Sequence, residues 1–87
     1  MKRPERAAER RRQKELARVE ALESEIAGLE TEISTFEESF SDPSVSRNGD
    51  KVRSVRFEIE SRRKSISEKM AEWEELCRRL EEGARAG

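Results

Sequence analysis

The sequence predicts an all-α protein built as a two-helix antiparallel coiled-coil hairpin. Three observations predict it. Of the 87 residues, 45% are charged and only 32% hydrophobic, a composition too lean for a globular core and typical of coiled coils or of disorder. Apolar residues recur at alternating steps of three and four, which decides for the coiled coil. Charge is segregated into four alternating blocks, which decides how the helices pair.

The first helix is expected over about residues 4–41. Val19, Leu22, Ile26, Leu29, Ile33, Phe36 and Phe40 form an unbroken a/d seam over three heptads. Pro4 is tolerated in a first turn, but the seam positions before Leu16 are Ala8, Arg11 or Arg12, and Glu15, which bury little. Residues 1–15 therefore form a basic helical extension of a hairpin that spans 16–82. Pro43 blocks helix continuation and pushes Asp42 out of the α region, so residues 42–49 are expected to be a loop. Asp50 is the expected N-cap of a second helix over about 50–82. Its seam runs Val52, Val55, Ile59, Arg62, Ile66, Lys69 or Met70, Trp73, Leu76 or Cys77, and Leu80. Arg62 and Lys69 interrupt this stripe, so the face is broad and ragged. Gly83 is the expected helix end, leaving 83–87 as a frayed tail.

Residues 1–19 hold eight Lys/Arg against three Glu, a net +5, while residues 20–42 hold eight acids and no base. Residues 43–64 carry +4 and residues 65–87 carry −2, giving the overall −1. With Val19 at position a, Glu23, Glu30 and Glu37 occupy e, and Glu25 and Glu32 occupy g. A parallel dimer of the first helix would line up glutamate against glutamate. Folding the chain back instead pairs e with e and g with g. With Val52 at a, Glu37 then faces Arg56, Glu30 faces Arg63 and Arg18 faces Glu72. Such exposed pairs select topology more than they add stability. Glu32 toward Glu58 is a mismatch in this arrangement. Burial is expected to come chiefly from Trp73, Phe36 and Phe40, the largest seam side chains. Two helices alone make a thin core, so the hairpin is expected to dimerise in isolation, into a four-helix bundle, or to lean on a larger parent protein.

These features exclude several classes of function. No histidine or tyrosine is present, and the four glycines form no phosphate-cradling loop. The carboxylates one turn apart on the first helix lie on open surface, where nothing desolvates or positions an acid or base. Cys77 is a lone thiol near the seam, a small core hydrophobe. An enzyme is not expected, nor any cofactor or metal. No apolar run approaches the ~20 residues that span a bilayer, and the charged N-terminus is unlike a signal peptide. A cytoplasmic protein without a membrane partner is expected, in line with the single cysteine.

The segment from Arg18 to Glu30 (RVEALESEIAGLE), then Asp42-Pro43, Gly49-Asp50-Lys51-Val52, and Met70 to Leu76 (MAEWEEL) resembles, in that order and spacing, the C-terminal coiled-coil domain of ABC-F ATPases of the Uup-like type. The resemblance covers about residues 15–82. It implies two ATP-binding cassettes upstream in a parent chain, action on ribosomes, and, for Uup-like members, DNA binding by the hairpin. Many relatives carry an aromatic residue after Asp-Pro where this chain has Val45, a departure that speaks against a loop-stacking role.

Two features could carry binding. Arg3, Arg6, Arg10, Lys14 and Arg18 share one helical stripe beside the seam and suit phosphate contact in RNA or DNA. A solvated, salt-bridged helix end explains them equally, as does a junction with the preceding cassette. On the second helix, Phe57 lies opposite the seam with Arg53 one turn before and Lys64 about two turns after. An aromatic between cations can stack on a base, although single exposed apolar residues are common and dimer burial would also account for it. Two functions therefore stand side by side: a nucleic-acid-contacting module, or a structural spacer or dimerisation hairpin for protein partners. What separates them is whether the basic side chains stay free once the hairpin forms. Arg56 and Arg63 are expected to be neutralised, and Arg3 to Lys14, Arg53 and Lys64 are not.

Overall fold

The computed structural model describes residues 3–86, with the side chains of 6–84. The described residues form three helices: α1, Arg3–Ser39, α2, Pro43–Ser46, and α3, Gly49–Ala86. α1 and α3 pack antiparallel along their length, and the molecule is a rod of 68 × 15 × 14 Å. The turn through α2 lies at one tip, and the start of α1 and the end of α3 lie at the other, the open end.

α1 ends two residues earlier than its apolar pattern suggests. The N–H groups of Phe40, Ser41 and Asp42 donate to carbonyls three residues back, at 3.2, 3.0 and 3.1 Å, the tighter 3₁₀-type turn that satisfies the last free carbonyls of a helix. The expected loop contains a helical turn of its own. Asp42, extended at φ −84°, ψ 119°, accepts the Ser44 N–H with its side chain at 2.9 Å, and Pro43 occupies the first turn. That hydrogen bond, ahead of a weaker contribution from Lys51, holds the Asp42 carboxyl below the usual carboxylate range.

The start of α3 corrects the cap assignment. Asn48, not Asp50, caps it: Asn48 Oδ1 accepts the N–H groups of Asp50 at 3.1 Å and Lys51 at 3.2 Å. Asp50 sits inside the first turn, where a negative charge favours the helix dipole, and pairs with Arg53. At the far end, Gly83 does not stop the helix. α3 continues to Ala86, because no described glycine adopts a positive φ and so no left-handed residue terminates it.

The buried core is aliphatic: Leu22, Ile26, Ile33, Ile59 and Leu76. Trp73, Phe36 and Phe40 are half-buried, so the most completely covered side chains are the aliphatic ones. In a two-helix layer the ring of a large side chain reaches past the seam into solvent, and only residues pointing straight at the facing helix are fully covered. Leu22, with 0% exposure, is the best covered. Trp73 uses its polar edge instead, donating from Nε1 to Glu23 Oε2 at 3.1 Å.

Candidate functional site

The seam's two flanks differ, and the difference decides which charges are available. On the g flank, Arg18 makes a two-pronged contact with Glu72, at 2.7 and 2.9 Å, and also approaches Glu25 at 3.7 Å. Lys69 donates to Glu25 at 2.7 Å. Arg62 fills the remaining gap: it reaches Glu32 at 2.7 Å and Glu58 at 2.6 Å while its guanidinium lies 4.7 Å from the centre of the Phe36 ring. The mismatch of Glu32 with Glu58 is thus resolved by a seam arginine placed between two acids, its stem covering apolar surface. These hydrogen bonds favour the charged forms: Lys69 holds the Glu25 carboxyl, and Arg18 the Glu72 carboxyl, below the usual carboxylate range. Arg18 is raised by Glu72, and Arg62 is raised by Glu58 and then Glu32.

The e flank is sparser. Glu37 pairs with Arg63 at 3.2 Å, and Arg63 also meets Glu60 at 3.3 Å. The expected partners were Arg56 for Glu37 and Arg63 for Glu30. Neither Glu30 nor Arg56 has an ion-pair partner among the described residues. Helical side chains lean toward their own N-terminus. Arg63 therefore leans toward the tip and Glu37 toward the open end, so they converge, while Glu30, level with Arg63, leans away from it.

Of the candidate binding residues, Arg6, Arg10 and Lys14 lie exposed on α1 with no acidic partner among the described residues. The side chain of Arg3 lies outside the described residues. Arg18 leaves the stripe, held by Glu72 and Glu25. On α3, Phe57 is 69% exposed and Lys64 is exposed without an ion-pair partner, whereas Arg53 is engaged by Asp50. Arg56, expected to be neutralised, is the free cation beside Phe57 instead. Sequence spacing did not reveal this exchange, because Arg53 and Arg56 both have an acid in reach at helical or cross-helix spacing. Arg11 and Arg12 were considered only as poor seam residues. Both now line an open cleft between the helices with Glu9, Glu15 and Arg79, where Glu15 pairs with Arg79 at 3.1 Å. No group of side chains that could hold a metal ion occurs among the described residues, and no described helix is long and apolar enough to cross a membrane.

A rod of two antiparallel helices, its surface covered with charge and its seam narrow, defines a helical arm. The chain belongs to the ABC transporter C-terminal domain family, which matches residues 9–77. This is a non-catalytic domain of ABC proteins, and the ATPase domain is not part of it. No curated protein and no solved structure matches the chain.

Proposed function

We propose that this hairpin is the C-terminal arm of an ABC-F ATPase of the Uup-like type, a cytoplasmic protein with two upstream ATP-binding cassettes, and that it contacts nucleic acid, ribosomal RNA or DNA, through backbone phosphates. One observation carries the reading: Arg6, Arg10 and Lys14 project from one exposed face of α1 with no acidic partner among the described residues. Cations that serve only hairpin pairing are found elsewhere, on the seam flanks. A second set, Arg56, Phe57 and Lys64, adds an exposed aromatic ring between two unpaired cations on α3, suited to a backbone with an unstacked base. Phosphate contact needs only charge at the surface, without any buried donor, and gives little preference for sequence.

The test is a salt titration of duplex DNA and of structured RNA with the parent chain and a variant carrying Arg3→Gln, Arg6→Gln, Arg10→Gln and Lys14→Gln. Log affinity should fall with log salt by ~0.7–0.9 per neutralised phosphate. The variant should bind more weakly and with a flatter slope, with its helical melt nearly intact. Equal affinity and equal slope would remove the stripe from the mechanism. The ion-paired g flank, which needs no ligand to explain it, would then favour a structural spacer for protein partners.

A further inference from the structure

We propose that a second copy of this chain packs antiparallel along the e flank of the hairpin, with the two-fold axis at the middle of the rod beside Met70 and Trp73.

Of the three exposed large hydrophobic residues among those described, two lie on the e flank and the third, Phe57, on the outer face of α3. Leu16 and Met70, 44% and 39% exposed, both occupy e positions, and Glu23, Ile26, Met70 and Trp73 enclose one open apolar groove between the helices. The g flank has no such gap, being closed by the Arg18, Lys69 and Arg62 ion pairs. The groove also has a particular position. The midpoint of α1 is Ala21, and the pairings of Glu15 with Arg79, Glu25 with Lys69 and Glu32 with Arg62 set Trp73 level with it. An apolar patch at the centre of a rod is matched to itself by a two-fold axis across the rod, the symmetry of most dimers.

Charge selects a second copy as the occupant and fixes its direction. The open-end half of the hairpin, residues 1–20 with 74–87, carries +3, and the tip half, residues 21–73, carries −4. Two rods side by side in the same direction would set like on like. Reversed, each half meets its opposite. A two-fold across the rod also lays α1 on the partner's α1, so positions equally far from Ala21 face each other. Glu30 and Arg12 lie nine residues to either side, ~13 Å at helical rise, and both lack an ion-pair partner among the described residues. Two of the charges left unpaired within one hairpin thus complement each other between two. A flank of 68 × 15 Å presents roughly 1,000 Å², comparable to the ~800 Å² per partner of a standard interface. Arg6, Arg10, Lys14, Phe57 and Lys64 lie away from the e flank and stay exposed in the pair; Arg56, at an e position, is the one cation of the nucleic-acid reading that the second copy would approach.

The experiment uses the 87-residue chain. Sedimentation equilibrium over micromolar to hundreds of micromolar should show a monomer–dimer equilibrium, weakened at least about tenfold by Met70→Glu, a change at an exposed position that leaves the helical circular dichroism intact. Glu30→Arg and Arg12→Glu should each weaken it at low ionic strength, and the two together should restore it. Spin labels at the tip, on Ser44→Cys in a Cys77→Ser background, should lie about 60–70 Å apart in the dimer, given the 68 Å rod. A chain monomeric throughout that range overturns the proposal, as does a dimer indifferent to Met70→Glu. Failure of the charge swap to rescue, or tips within about 30 Å of each other, overturns the antiparallel arrangement.

Discussion

Leu22→Ala tests the account of what holds the rod together. Leu22 is completely buried, and full burial of a leucine side chain contributes ~1.5–3 kcal/mol from surface removed from water. Truncation adds the cost of whatever cavity remains, and core Leu→Ala changes span ~2–5 kcal/mol according to how far the site collapses. A seam open to solvent on both flanks collapses easily, which places this site near ~2.5–3 kcal/mol. Alanine's better helix propensity returns only a few tenths of a kcal/mol. For a domain of this size the loss corresponds to a fall in melting temperature of ~10–20 °C. Trp73→Ala removes a larger side chain that is partly exposed; about two thirds of an aromatic's ~150–250 Å² still amounts to ~2.5–4 kcal/mol of burial, so its cost should be similar to that of Leu22→Ala. The assay is thermal melting by circular dichroism at one low, fixed chain concentration, so that association does not add to the result. A fall below about 4 °C for Leu22→Ala would refute the claim that the aliphatic seam holds the rod together.

Asn48→Ala should cost ~1 kcal/mol by removing the N-cap of α3, and Asp50→Ala distinctly less, as paired melts of the two variants would show. Gly28→Ala should stabilise the hairpin by ~0.5–1 kcal/mol, since Gly28 is mid-helix and an added Cβ meets nothing within 4 Å; a lower melting temperature would contradict it. The depressed carboxyls of Glu25, Glu72 and Asp42 bind protons more readily in the unfolded chain. Their contribution is therefore full above the ordinary carboxylate value, 4.5 for Glu25 and Glu72 and 3.8 for Asp42, and is lost as pH falls through the lower folded values. Melting temperature should hold from pH 7 to about 5 and then decline, and Glu72→Gln should reduce that decline; an unchanged acid limb would show that the Arg18–Glu72 contact does not stabilise the fold.

Periodicity made the helices legible, and charge patterning their antiparallel sense. Seven apolar residues at coiled-coil spacing demand a facing stripe, and four alternating charge blocks leave the folded-back arrangement as the one that sets acid against base. The pairing of Arg18 with Glu72 follows from that register, as does the placement of Phe57 off the seam. The family, too, is carried by sequence. What the sequence did not decide were contacts that depend on side-chain direction and reach. Asn48 and Asp50 are both good capping residues, and only the path of the chain out of α2 brings the Asn48 carbonyl oxygen onto the first free N–H groups of α3. Glu37 has two arginines near its level, and the lean of helical side chains toward their own N-termini assigns it Arg63, leaving Arg56 free. Arg62 looks like a flaw in an apolar stripe until the facing helix supplies Glu32 and the Phe36 ring. Burial behaves in the same way: composition ranks Trp73 first, but two helices cover only what points directly between them, so Leu22 is enclosed and the tryptophan ring remains at the edge.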